Sequence, residues 1–68
     1  MEPSWIKIYT SNKAHEIEFA KSILADENIE AFVIDKKDSS YIFGDAELYV
    51  TEENVIKAQL VLTENNLL

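Results

Sequence analysis

His15 is the only histidine and the chain has no cysteine, so neither a Cys/His dyad nor a thiolate nucleophile can be assembled. His15 would fall in the first turn of a helix, where the dipole disfavours its protonated form. Ser11, Ser22, Ser39 and Ser40 have no nucleophile-elbow context. Asp35, Asp38, Asp45 and Glu47 could gather oxygens around a divalent ion. Their spacing departs from the alternating ligands and central glycine of a calcium loop. Turn-forming aspartates, bonding to nearby backbone amides, account for the same residues. No metal and no cofactor is expected. Lys36, Lys37, Ser39 and Ser40, with Tyr41 beside them, offer two ammoniums and several hydroxyls near a turn, which suits an anion or a nucleotide. No glycine-rich phosphate loop accompanies them, and a polar connection whose lysines offset nearby acids is the favoured reading. Tyr41, Ile42 and Phe43 are three large apolar residues inside that polar stretch. Either they fold back over the core or they present an anchor to a partner.

The elements that would position these residues follow from hydrophobic spacing. Trp5 to Thr10 is β-branched and aromatic and follows Pro3, so it predicts a strand. Strict alternation points Ile6 and Ile8 to one side and Trp5, Lys7 and Tyr9 to the other. Ser11 or Asn12 can cap a helix over about 13–27, with Ile17, Ala20, Ile23 and Leu24 on one stripe. Phe19 borders that stripe, and Asn28 is a left-handed stop. Glu30 to Asp35 and Glu47 to Val50 predict two more strands, joined by the loop from Lys36 to Asp45. Leu48 and Val50 face inward, while Glu47 and Tyr49 face outward. Thr51 caps a second helix whose first turn carries Glu52 and Glu53. Val55, Ala58, Val61 and Leu62 form its inward stripe. Ile56, Leu60 and Leu67 form a second apolar line, roughly opposite the first.

The order is β, α, β, β, α. This is an α+β, ferredoxin-like two-layer sandwich that lacks the fourth strand, with an antiparallel three-stranded sheet and the first strand beside the third. Residues 1–68 are read as one domain. Leu24, Leu48 and Leu62 should be almost fully buried. The first strand is left as an open edge with Lys7 as its only charged guard. Trp5, Tyr9 and Tyr49, with Phe32 or Ile34 beside them, should share the helix-free face.

Composition narrows the partners. Thirteen acids against six lysines give a net charge of −7. That repels phosphate backbones and anionic bilayers, so neither nucleic acid nor membrane is expected. No apolar run approaches the ~20 residues of a membrane span, and the start lacks the features of a signal peptide. A cytoplasmic location is expected. A hydrophobic fraction of 47% argues against disorder. A chain of 68 residues buries only roughly 60% of its unfolded surface, so association is a common remedy. It also leaves little room for a tuned acid–base pair in a pocket, and no enzyme is expected.

Lys36-Lys37-Asp38-Ser39-Ser40-Tyr41, Phe43-Gly44, Glu47-Leu48-Tyr49-Val50-Thr51-Glu52-Glu53 and Lys57-Ala58 resemble a small bacterial family described as putative prokaryotic signal-transducing proteins, a domain of unknown function. The first half agrees: a strand, a Ser/Asn cap and a helix carrying Glu16, Lys21 and Leu24 before Asn28-Ile29. That family is similar in fold to the nitrogen-regulatory PII (GlnB-like) proteins, in which the loop between the second and third strands touches regulatory partners. The matching loop here, Lys36 to Asp45, is far shorter. None of the PII nucleotide-binding signatures is present, so ATP or 2-oxoglutarate binding does not carry over. The resemblance implies a non-catalytic interaction or regulatory module. The residues add an expected homodimer through a surface including Trp5, Tyr9, Tyr49, Ile56 and Leu60, or an unidentified protein partner. The alternative is a small-ligand sensor using the 36–45 loop at Lys36, Lys37, Ser39, Ser40 and Tyr41.

Overall fold

The computed structural model describes residues 4–35 and 46–68. Along the chain run β1 (Trp5–Ser11), α1 (Ala14–Asp26), β2 (Ala31–Asp35), β3 (Ala46–Thr51), one 3₁₀ turn (Glu52–Asn54) and α2 (Val55–Glu64). The sheet order is β1-β3-β2 with both pairings antiparallel. Among the described residues this is the expected α+β, ferredoxin-like βαββα sandwich with a three-stranded antiparallel sheet, and β1 lies beside β3 as the sequence predicts. Both helices cover one face of the sheet: α1 packs across all three strands and α2 over β1 and β3.

The core is aliphatic. Leu24, Leu48, Leu62 and Val50 are fully buried, as the spacing predicts for the three leucines. Ala20 and Ala58 are also completely covered, as small residues are where a helix backbone lies close to its neighbours.

Both helices stop in the same way. Asn28 and Asn66 adopt φ of 61° and 62°, a left-handed conformation that asparagine tolerates better than most residues. After α1, Asn28 N–H donates to Ala25 O at 3.0 Å and Ile29 N–H to Leu24 O at 2.9 Å. After α2, Asn66 N–H donates to Thr63 O at 3.0 Å and Leu67 N–H to Leu62 O at 2.9 Å. These are paired Schellman closures, and each is followed by an apolar residue, Ile29 or Leu67, packed on the core. The expected stop at Asn28 is found.

The helix starts depart from expectation. Ser11 and Asn12 do not cap α1; Lys13 holds the N-cap position and makes no side-chain cap bond. Ser11 is still the last residue of β1. Its Oγ accepts the Lys13 N–H at 3.0 Å and donates to the Glu16 carboxylate, so it shapes the turn before the helix. Thr51 likewise makes no side-chain cap bond to a backbone amide. Its Oγ1 accepts from Asn54 Nδ2 at 2.9 Å, and the Glu52 N–H is already engaged by Ser4 O at 2.8 Å. The chain therefore makes a 3₁₀ turn before α2 begins.

A second correction concerns β1. Its register with β3 shifts between Lys7 and Tyr9, a bulge at Ile8. Before the bulge Ile6 opposes Val50 and Lys7 opposes Tyr49; after it Tyr9 opposes Leu48 and Thr10 opposes Glu47. One extra residue exchanges the two faces of the strand. Tyr9 therefore lies on the helix side, packed against the core, and does not share the helix-free face with Trp5 and Tyr49. Ile8 is buried at the bulge.

Candidate functional site

The helix-free face is built by alternation. From β1 it receives Trp5, Lys7 and Thr10, from β3 Thr51, Tyr49 and Glu47, and from β2 Phe32 and Ile34. Three aromatic rings from three strands meet there. Trp5 stands edge-on to Phe32 with centroids 4.7 Å apart, and Phe32 stacks on Tyr49 at 5.1 Å and 10°. Both are favourable arrangements of ring quadrupoles. The network continues into polar groups. Tyr49 OH donates to Glu47 Oε1 at 3.0 Å, and Lys7 Nζ lies 3.4 Å from Glu47 Oε2. The Glu47 side chain is only 12% exposed and that of Lys7 50%. Glu47 was expected to face outward, and it does. Its burial is the part that sequence reasoning missed, because a lone acid in a strand reads as solvated.

Tyr9 occupies a different setting. Burial first, and then the nearby Glu16 carboxylate, raise its phenol above the ordinary value of 10.0. Both effects penalise the phenolate.

The edge of β1 that no described strand pairs with and the outer side of α2 form the other notable region. An open groove of about 470 Å³ is lined by Lys7, Ile8, Tyr9, Thr10, Leu67 and Leu68. Ile56 is 83% exposed, Leu60 59% and Ile6 38%. The second apolar line of α2 is thus real for Ile56 and Leu60. Leu67 leaves it, because it follows the left-handed Asn66 and packs on the core. Lys57 marks the α1 side of α2, with Nζ 3.5 Å from Glu27 O.

The structure brings Trp5 and Tyr49 together through Phe32. It places Tyr9 on the opposite face and Ile56 and Leu60 on the far side of α2. Lys36, Lys37, Ser39, Ser40 and Tyr41, with Ile42 and Phe43, lie outside the described residues. So do Asp38 and Asp45. His15 is exposed in the first turn of α1. Among the described residues, no three His, Cys, Asp or Glu side chains stand close enough together to hold a metal ion. No described helix is long and apolar enough to cross a membrane.

Neither the curated proteins nor the solved structures provide a match to this chain. The family model described as "putative prokaryotic signal transducing protein" matches residues 5–66, from the first residue of β1 to beyond the end of α2, and the chain belongs to that family.

Proposed function

We propose that this chain is a non-catalytic interaction module of a bacterial regulatory system, acting in the cytoplasm as a homodimer. The family description supports the signalling role. The association is carried by one observation: large apolar side chains stand in solvent, Ile56 at 83% and Leu60 at 59% exposure one turn apart on α2, and Ile6 at 38% on β1, the strand that α2 packs over. Clustered apolar exposure of this kind marks an interface more often than isolated surface residues do. A two-fold dimer is the commonest way for a small domain to cover it. Sedimentation equilibrium from low to high micromolar should show the mass rising from one chain to two. A strict monomer over that range refutes the homodimer.

The competing function is an anion or nucleotide sensor at Lys36, Lys37, Ser39, Ser40 and Tyr41. A thermal-shift screen with inorganic phosphate and nucleotides separates the two. A ligand at 100 times its dissociation constant stabilises a fold by about 2.7 kcal/mol, so a sensor would show a clear rise in Tm and the interaction module none.

A further inference from the structure

We propose that two copies of this chain join along the free edge of β1, strand to antiparallel strand about a two-fold axis, so that their sheets become one sheet of six strands. This rests on the reading of the chain as self-associating and names the surface that does it.

The backbone supplies the first argument. Among the described residues β1 pairs with β3 alone, through one edge, and it is the longest strand at seven residues. A groove of about 470 Å³ is lined by Lys7 to Thr10 of this strand and by Leu67 and Leu68 after α2. A free edge offers a row of N–H and C=O groups that a second strand can satisfy. Lysine on an edge normally deters such pairing. Lys7 is instead turned onto the helix-free face and held 3.4 Å from Glu47, so its charge is partly balanced there.

Charge supplies the second. Two copies each carrying −7 repel one another unless they meet where acids are absent. The thirteen acids are not spread evenly: none falls in residues 3–15 or 54–63, which hold Lys7, Lys13 and Lys57. Those two stretches contain β1 and nearly all of α2, and α2 packs over β1. β1 and α2 thus carry few acids of their own, the nearest to the strand being Glu16, held by the Ser11 hydroxyl, and Glu47, held by Lys7 and Tyr49. Of the six exposed large hydrophobics among the described residues, Ile6 belongs to β1 and Ile56 and Leu60 to α2, which packs over β1. The helix-free face is less suited to a second copy, because Trp5, Phe32 and Tyr49 already pack on one another there.

The bulge at Ile8 works against edge pairing, since bulges twist a strand away from a straight partner. It leaves two regular halves, Trp5–Lys7 and Tyr9–Ser11. An antiparallel two-fold sets the first half of each copy beside the second half of the other. Helical geometry then sorts the α2 residues. Ile56 is turned about 100° from Lys57, away from α1 and toward the β1 flank, whereas Leu60 is turned only about 60°. Ile56 belongs to the seam more than Leu60 does.

The test combines sedimentation equilibrium with amide hydrogen exchange on the full chain. Three variants are compared with it: Thr10→Lys, Ile56→Glu and Leu60→Glu. Thr10 is exposed on β1, and Glu47 opposite it is already engaged by Lys7 and Tyr49, so a lysine at position 10 adds a second charge to this strand that Glu47 does not balance, and guards the edge as Lys7 alone does not. It also lowers the net negative charge, so a lost dimer could not be blamed on charge repulsion. We expect Thr10→Lys and Ile56→Glu to raise the dimer dissociation constant at least tenfold, and Leu60→Glu to raise it less. The β1 amides that β3 does not hold should gain protection as concentration rises. A monomer at all concentrations overturns the self-association reading and this inference with it. A dimer whose β1 amides show no concentration-dependent protection, and which Thr10→Lys leaves intact, overturns the edge seam alone.

Discussion

The two faces of the sheet are covered by different means. On the helix side the cover comes from other elements, and the side chains are aliphatic: Leu48 and Val50 of β3 meet Leu24 of α1 and Leu62 of α2 in one cluster. On the other side, among the described residues, cover comes from the strands themselves. Trp5 on β1 and Phe32 on β2 flank β3, about two strand spacings or ~10 Å apart. Their rings nonetheless approach to 4.7 Å, so they lean toward each other across the central strand. Thr51, which opposes Trp5 in the register, is buried. Every residue of β3 except Tyr49 is buried, although helices cover only one of its faces. Large flat side chains can thus substitute in part for a missing layer. They do so with polar ends still attached, and those ends become a network: Tyr49 to Glu47 to Lys7.

The comparison is broken most directly by truncating one residue on each face. Leu48→Ala, on the helix side, should cost about 2–5 kcal/mol through lost burial and a cavity that cannot collapse. Small domains have only about 5–15 kcal/mol in total, so this change should unfold part of the population in water, as read by urea titration followed by circular dichroism. Phe32→Ala removes both ring contacts on the other face. At about 0.5–1.5 kcal/mol per aromatic pair plus a half-buried area, it should cost about 1–3 kcal/mol. A loss as large as that of Leu48→Ala would make the helix-free face a second core. A loss near zero would mean that the rings merely rest on the surface. A Trp5/Phe32 double-mutant cycle isolates the pair.

A smaller effect sharpens the polar end of the network. Lys7→Met keeps the stem and removes the charge. Because Lys7 is half-exposed, solvent screens the ion pair and the cost should stay below ~1 kcal/mol. Glu47 retains the Tyr49 hydroxyl in the variant. A cost of several kcal/mol in the urea midpoint would show that Glu47 depends on Lys7 far more than its geometry suggests.

The smallest effect lies on the helix side and appears only in alkali. Burial and Glu16 raise the Tyr9 phenol above 10.0, so the folded state holds that proton more tightly than the unfolded chain. The associated stability is complete below the ordinary phenol value and is lost as pH rises through the folded one. Stability should therefore fall above about pH 10. Tyr9→Phe should remove that component and leave the rest of the alkaline curve unchanged. Identical curves for the two proteins would mean that Tyr9 titrates as it does in the unfolded chain.

The sequence alone determined the order of elements, the three buried leucines and the stop at Asn28. Each is local: apolar spacing near two or near 3.6 residues names the element and its inner face, and an asparagine that follows the end of a helical stripe and precedes an apolar residue favours a left-handed closure. Asn66 and Leu67 carry the same signal at the end of α2 and were legible in principle. Only the tertiary structure decided which way Tyr9 faces. Trp5 to Ser11 alternates without a glycine to mark the bulge, and the extra residue exists only in relation to β3, which counts one fewer over the same length. It also decided that Ser11 and Thr51 give their hydroxyls to a turn and to Asn54 rather than to helix amides, since the competing partners come from the fold. Likewise, Glu47 is buried on a central strand, where Lys7 and Tyr49 reach it from positions forty and two residues away. Strand pairing, which brings distant segments together in one fixed register, is the step that no local pattern encodes.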